Sequence, residues 1–394
     1  MKIVIAGGGI GGLSAALALR LGGCDVEVVE QASALKEVGA GIQLSPNAVM
    51  GLMALGLDEA ALSAASRPVS LDMRIGRTGD KVLSIPIARE APSRYGAPYL
   101  HMHRADLIDA LRRAAEQRGV RIRLDTRVSA YVLEPAGVRV GLDTGAILAC
   151  DCLIGADGVR SAVQSQMLGP EEARYTGAVA WRITVPAETA PDLPHAAVVW
   201  VGPGRHAVTY RIRRGELINF VGVVETARWR GESWDQPGDP ADLAADFAGW
   251  AAPIPDIIAA AGDCFMWALF DRDPLPRWSE GGRVCLLGDA CHPMPPFQAQ
   301  GAAMAIEDAV ILAKCLTTYG VGDMALRRYQ GLRRPRTARV LASARRNMAL
   351  FHRSSFWSQA ATYGPIRLAD SLMPAFVRSR QDWIYAYDPR RIAV

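Results

Sequence analysis

The sequence predicts an α/β fold: a parallel, doubly wound sheet interrupted by a second, mainly antiparallel sheet and followed by helices. Three observations predict it. First, the β-branched run Lys2 to Ala6 meets a cluster of glycines, then a small-residue apolar stretch, Gly11 to Leu21, then a second strand pattern at Asp25 to Glu30. Strand, glycine turn, helix and strand in this order make a βαβ unit with parallel strands and a right-handed crossover. Second, between about residues 171 and 278 the pattern changes to alternating segments, Ala178 to Val185, Val198 to Val201, His206 to Arg211 and Glu216 to Val224, as expected of antiparallel strands. Third, the first texture returns at Arg283 to Leu287, and Gly301 to Tyr319 and Met324 to Arg345 read as long helices.

The remaining elements fit the same scheme. Arg104 to Gln117 has the spacing of an amphipathic helix, Val120 to Leu124 that of a strand, and Cys152 to Ile154 ends another strand at a glycine-rich turn, so the α/β pattern is expected to continue to about residue 168. Six of the nine tryptophans (Trp181, Trp200, Trp229, Trp234, Trp250, Trp267) fall inside the middle region and a seventh, Trp278, ends it; core packing is the expected role of such large rings. The 394 residues are 50% hydrophobic and 21% charged, which excludes a disordered, collagenous or coiled-coil protein. With 44 basic against 40 acidic residues and no long basic run, the footprint of a nucleic-acid binder is missing. No stretch reaches the roughly 18 uninterrupted apolar residues of a membrane span, and the first residues lack the features of a secretory leader. Seven cysteines without a CxxC pair indicate neither a disulfide framework nor a zinc site, so a reducing cytoplasm and no bound metal are expected.

Three motifs carry chemistry. Gly7-Gly8-Gly9-Ile10-Gly11-Gly12 satisfies GxGxxG through Gly7, Gly9 and Gly12, between a strand and a helix. In that setting Gly7 permits the tight turn, Gly9 lets the backbone approach a pyrophosphate, and Gly12 brings helix against strand. Glu30, ending the second strand, can accept hydrogen bonds from both hydroxyls of an adenosine ribose and would repel a 2′-phosphate. These are the marks of a Rossmann-like dinucleotide site. The second motif, Gly155 to Ser161, and the third, Gly288 to Pro293, also follow strands. In the third, Asp289 can reach ribityl or phosphate-linked hydroxyls, and Gly301 opens a helix whose free N–H groups could face an electron-rich ring.

The run of motifs is GGGIGG at Gly7 to Gly12, Glu30, EVGAGIQLSPNA at Glu37 to Ala48, HRADL at His103 to Leu107, IGADGVRS at Ile154 to Ser161 and GDACHPMPPFQAQGAAMAIEDA at Gly288 to Ala309. In order and spacing it resembles the single-component FAD-dependent aromatic hydroxylases, the group of p-hydroxybenzoate, salicylate and 3-hydroxybenzoate hydroxylases. The resemblance covers nearly the whole chain. It implies a Rossmann-like FAD-binding domain of residues 1–67, 103–170 and 279–347, an inserted, mainly antiparallel β-sheet substrate domain of residues 68–102 and 171–278, and a C-terminal helical segment, 348–394. By position, FAD binding falls to Gly7, Gly9, Gly12, Glu30, Arg104, Asp157, Asp289 and Gly301. No second GxGxxG follows another strand. A dedicated nicotinamide domain is therefore not expected, and the resemblance implies tightly bound FAD, with NADH or NADPH as a transient reductant and O2 as co-substrate.

In such enzymes the reduced flavin adds O2 to give a C4a-hydroperoxide, and an electron-rich ring attacks its distal oxygen. Deprotonating a phenol makes its ortho and para carbons more nucleophilic, so a group that takes that proton contributes on the order of 10²- to 10⁴-fold. His206 and Tyr210 are the expected catalytic pair. They lie four apart on a strand and so share a sheet face, and Gly204 to Tyr210 (GRHAVTY) resembles the segment carrying the phenol-contacting His and Tyr of 3-hydroxybenzoate 6-hydroxylases. Gln43 stands where 6-hydroxynicotinate 3-monooxygenases carry a His and matches the 3-hydroxybenzoate type; with Pro296 and Phe297 it is expected to line the substrate pocket. His292, inside the flavin motif, reads as structural, and the tail Asp382 to Asp388, which resembles that of salicylate-type hydroxylases, as packing or dimer contact. The expected activity is hydroxylation of a small phenolic aromatic acid, salicylate- or 3-hydroxybenzoate-like, by a monomer or homodimer. Its rivals are the same chemistry on a hydroxynicotinate-like heteroaromatic or on a polyketide, purine or terpenoid, a flavin dehydrogenase or amine oxidase, and a flavin-binding sensor without turnover.

Overall fold

The computed structural model describes residues 1–35, 41–58, 60–170, 174–226 and 236–394; Trp229, Trp234 and residues 37–40 of the EVGAGIQLSPNA motif lie outside the described residues. The first βαβ unit forms as its sequence dictates. Strands Lys2–Ala6 and Asp25–Val29 pair in parallel, joined by helix Ile10–Leu21, whose Ser14, Ala15 and Ala16 are small enough to be wholly buried. Strand Cys152–Gly155 pairs with the other side of Lys2–Ala6, Val284–Leu286 lies beyond it, and Arg121–Arg123 flanks Asp25–Val29, all parallel. Ser279–Glu280 closes one edge as an antiparallel strand. Strands covered on both faces bury nearly every side chain, which is why they read as continuous apolar runs. Because the strands are parallel, the turns after Ala6, Val29, Gly155 and Leu286 all gather at one edge of the sheet.

The second sheet has eight strands, in the order Gln236–Pro237, Phe265–Asp271, Arg174–Pro186, Leu217–Glu225, Arg205–Ile212, Ala197–Gly202, Ser70–Ile75 and Lys81–Pro86. It is antiparallel except where Ala197–Gly202 meets Ser70–Ile75 in parallel. One face carries Trp181, Trp200, Phe220, Phe247 and Trp250 in a closed core. The opposite face carries Val201, Val223 and Trp267, and is covered by Phe297 and by Phe351 and Tyr363 of the C-terminal helices. The described tryptophans of this region are thus buried. A separate three-stranded sheet, Val128–Glu134, Gly137–Leu142 and Ile147–Cys150, interrupts the α/β pattern expected to run to about residue 168. Val128–Glu134 and Ile147–Cys150 are mostly exposed and alternate weakly, so only the middle strand, Gly137–Leu142, carried a regular alternation.

Helices Arg104–Gln117 and Gly301–Tyr319 span the expected residues, and Asp323–Phe351 continues past Arg345 with Pro335 inside it. All seven cysteines are free and buried. No helix among the described residues is long and apolar enough to cross a membrane.

The two long helices are joined by charge. Arg333 is fully buried between Glu307 and Asp308, its Nη1 2.7 Å from Glu307 Oε2 and its Nε 2.7 Å from Asp308 Oδ1. Arg336 makes a fork on Glu307 at 2.7 and 2.8 Å, and Asn47 Nδ2 donates to Glu307 Oε1 at 2.7 Å. Burial alone would raise the Asp308 carboxyl, but His292 and Arg333 override it and hold it below the usual carboxylate range. Removing one partner from a dry ion network leaves the others uncompensated. Arg333→Met is therefore expected to lower stability by about 3–5 kcal/mol, read as an earlier urea midpoint of the FAD-free chain; an unchanged midpoint would contradict the network's role.

Candidate active site

The gathered turns enclose a cleft of about 340 Å³ lined by Gly7, Gly9, Glu30, Ala156, Asp157 and Arg160 among others. Gly7 has φ +100°, and a Cβ on it would stand 2.4 Å from the Ala156 carbonyl oxygen. A Cβ on Gly12 would stand 1.9 Å from the Gly7 carbonyl oxygen, so only glycine lets the helix sit this close to the strand. Gly9 differs from both. It caps helix Ile10–Leu21 with no side chain on the free N–H groups, and a Cβ there would meet nothing within 4 Å. Open space before an uncapped helix N-terminus is what a pyrophosphate requires. Glu30 is held at the rim, accepting the Gly8 N–H at 2.6 Å and the Ala32 N–H at 2.8 Å. These residues fit the ADP half of FAD.

Asp157 is placed beside them, but both its oxygens are engaged on its own turn: one accepts from the Ser161 hydroxyl, the other from the Ala162 N–H at 2.8 Å. Burial pushes its carboxyl up against these bonds. It shapes the loop that Gly7 packs on. Burial also raises the Asp289 carboxyl, while His292 and Arg104 pull it down. Arg104 opens helix Arg104–Gln117, so two motifs far apart in sequence meet here. The turn Pro296–Gln298 ends at Ala299 in a left-handed conformation, φ +50°, before helix Gly301–Tyr319 starts without a side-chain cap. The Gln300 side chain is committed elsewhere, accepting from Asn47 at 2.9 Å and donating to Ser45 at 2.8 Å. The N–H groups at Gly301 thus remain for an electron-rich ring.

His206 and Tyr210 come from strand Arg205–Ile212 and share one sheet face, as their spacing required. Between them Val208 and its cross-strand partner Val221 are half exposed, leaving an apolar floor. The His206 ring lies 5.4 Å from that of Phe297. Tyr210 lies 4.6 Å from His101 and beneath Gly41, where a Cβ would stand 2.6 Å from its ring. The Gly41 N–H is fixed by Asn219 Oδ1 at 2.7 Å, and Gln43, in register with His101, accepts from the Tyr99 hydroxyl at 2.7 Å. Burial, helped by His352, pushes the His206 imidazole well below its ordinary value. It raises the Tyr210 phenol, with the Arg182 charge opposing. Arg182 stands 5.0 Å over Trp267 on the same face.

Sequence reasoning missed Arg182, Asn219, His101 and His352. For the first two a signal existed, a charged or polar side chain at an inward position of an alternating strand; for His352 there was none. Cys291, His292 and Asp308 lie within 4.8 Å of one another. Asp308 already binds His292 Nε2 at 2.5 Å and Arg333, however, so the histidine braces the turn. The tail packs on its own chain: Arg336 lies 3.8 Å over Tyr387, Arg339 3.9 Å over Trp383, and Arg94 forks onto Asp382.

The glycines separate two effects. Gly9→Ala is expected to leave urea stability of the FAD-free chain unchanged and to weaken FAD binding at least about tenfold, since the methyl enters the pyrophosphate space. Gly12→Ala is expected to destabilise the FAD-free chain itself. Equal stability losses in both would contradict this division.

A family model described as an FAD binding domain matches residues 1–344. The chain is 36% identical to 3-amino-4-hydroxybenzoate 2-monooxygenase PtmB3 of Streptomyces platensis, over 98% of this chain and 96% of that one. It is 37% identical to a 6-hydroxynicotinate 3-monooxygenase of Bordetella bronchiseptica (86% and 89% covered) and 38% identical to 3-hydroxybenzoate 6-hydroxylase 1 of Aquipseudomonas alcaligenes (87% and 88% covered). Among solved structures it resembles Klebsiella pneumoniae HpxO complexed with FAD and uric acid, with a TM-score of 0.83, 29% identity and 95% of each chain covered. A salicylate hydroxylase substrate complex shares the fold, with a TM-score of 0.82 at 24% identity over 99% and 96% of the two chains. The chain belongs to the family of FAD-dependent aromatic hydroxylases and is an FAD-dependent monooxygenase.

Proposed function

We propose that the chain uses NADH or NADPH and O2 to hydroxylate a phenolic aromatic acid of the salicylate or 3-hydroxybenzoate kind in the cytoplasm, with FAD held tightly and the nicotinamide visiting transiently. The observation that carries this reading is the pair His206 and Tyr210 on one buried sheet face, with Phe297 of the flavin-side turn against His206. The electrophilic oxygen would come from FAD bound at the glycine turn and Glu30. The rest falls to this chain's side chains. His206, kept neutral by burial, is in the form that accepts a phenol's proton. Tyr210, kept protonated by burial, donates a hydrogen bond to the resulting oxyanion. Arg182 offsets the charge of the acid's carboxylate, and Gln43, Pro296 and Phe297 wall the ring away from water.

The relatives named for 3-amino-4-hydroxybenzoate, 6-hydroxynicotinate and 3-hydroxybenzoate support an acid that also bears a ring hydroxyl. A second reading, the same chemistry on a hydroxynicotinate-like or purine ring, draws on the 6-hydroxynicotinate relative and on the neighbour holding uric acid. With the FAD-loaded protein, one of salicylate, 3-hydroxybenzoate, 4-hydroxybenzoate or 6-hydroxynicotinate is expected to stimulate NAD(P)H oxidation and to yield a hydroxylated product by mass spectrometry. Stimulation by 6-hydroxynicotinate or uric acid alone would favour the second reading. His206→Ala and Tyr210→Phe are expected to lower kcat about 10²- to 10⁴-fold with FAD content intact; unchanged turnover in both would remove the pair from the mechanism.

A further inference from the structure

His206 does not end in a closed core. Its Nδ1 lies 2.6 Å from Nε2 of His352, and His352 Nδ1 lies 2.8 Å from Glu225 Oε1. The sheet register explains the line-up. Val223 stands opposite His206, so Glu225, two residues further along that strand, emerges on the same face. His352 follows the last residue of helix Asp323–Phe351 and fills the gap between them. Both imidazoles are buried, whereas the Glu225 side chain is 51% exposed. A buried base is thus connected to solvent through two hydrogen bonds.

The end of this line sets the protonation of the rest. An ionised Glu225 only accepts hydrogen bonds, so His352 donates from Nδ1 and, being neutral, keeps a lone pair on Nε2. His206 must then donate from Nδ1, which leaves its Nε2 lone pair for a substrate. That nitrogen has no protein partner among the described residues. Among the described residues, the charge of Glu225 acts on His352, and a protonated His352 would act on His206. Burial lowers His352 further than Glu225 raises it, so the ring between the two stays neutral and can both take and give a proton.

We propose that His206, His352 and Glu225 form a proton relay that carries the substrate's phenolic proton to bulk water and returns one when the product forms. The proposal rests on the reading of His206 as the phenol's base. On the outward pass the phenol O–H bond breaks and the proton goes to His206 Nε2, the Nδ1 proton of His206 goes to His352 Nε2, and the Nδ1 proton of His352 goes to Glu225, which loses it to water. The phenolate keeps the electron pair. When the hydroxylated product regains its phenolic proton, the same four transfers run backward, starting with a proton taken by Glu225 from water, and restore both tautomers. His352 and Glu225 are positioning residues, acting through His206.

The test uses the FAD-loaded protein and two readouts. In ¹⁵N-histidine NMR, wild type and Glu225→Gln are expected to carry the proton on Nδ1 of both His206 and His352, because the amide oxygen still accepts, and Glu225→Ala to lose this preference. With whichever of salicylate, 3-hydroxybenzoate, 4-hydroxybenzoate or 6-hydroxynicotinate the wild type turns over, Glu225→Gln and His352→Gln are expected to lower kcat at least about tenfold with KM unchanged. In both variants kcat should rise with buffer concentration, as wild type should not. Nε2-protonated His352 in the wild type, or variants with wild-type kcat and no buffer dependence, would overturn the relay. If His206→Ala also turns over normally, the failure lies in the reading of His206 itself; if only His206→Ala is impaired, that reading stands and the relay alone falls.

Discussion

The buried pairing of Arg333 and Arg336 with Glu307 and Asp308 is the constraint on which the rest of the site depends. Through Asp308 it reaches His292 and the Gly288 N–H at 3.2 Å, which fixes the turn carrying Asp289. Through Glu307 it reaches Asn47, Ser45 and Gln300, which ties the strand bearing Gln43 to the start of the helix at Gly301. Through Arg336 it reaches the carbonyls of Trp383 and Ile384 and so anchors the tail. A dry ion network gives little net stability compared with apolar packing, but it tolerates few geometries. Here it holds loops from four separated stretches of chain in one arrangement.

Around that anchor the two sheets contribute different things. The parallel sheet supplies backbone: turns at its carboxyl edge, kept slim by glycine, with a helix N-terminus facing open space. The antiparallel sheet supplies side chains, because alternation places His206, Tyr210, Arg182 and Asn219 on one face and the tryptophan core on the other. Burial then does the electrostatic work. It disfavours a charged imidazole at His206 and a charged phenolate at Tyr210, so the pair starts as neutral acceptor and neutral donor.

How much of this was legible in the sequence depended on whether the determining interaction was local. Helix Arg104–Gln117 was readable from its own apolar spacing, and the first glycine turn because the backbone at Gly7 and Gly12 admits no Cβ. The shared face of His206 and Tyr210 followed from a two-residue period. The three-stranded sheet at 128–150 was not readable, since two of its three strands are mostly exposed and alternate weakly. Nor were the contacts of His206 with His352, 146 residues away, or of Arg333 with Asp308, because nothing local sets the register between distant elements. Asp157 was legible in position, from the motif around it, but not in its bonds: the Ser161 hydroxyl and the Ala162 N–H on its carboxylate are set by the geometry of the turn.

Oxygen isotope labelling separates hydroxylation of the acid from mere oxidation of the nicotinamide. The FAD-loaded protein is supplied with NAD(P)H, ¹⁸O2 and each aromatic acid in turn, and the product is analysed by mass spectrometry. A hydroxylated acid carrying one ¹⁸O atom is expected, formed in step with nicotinamide oxidation. A product without the label, or nicotinamide oxidation that yields only hydrogen peroxide with every acid, would contradict it.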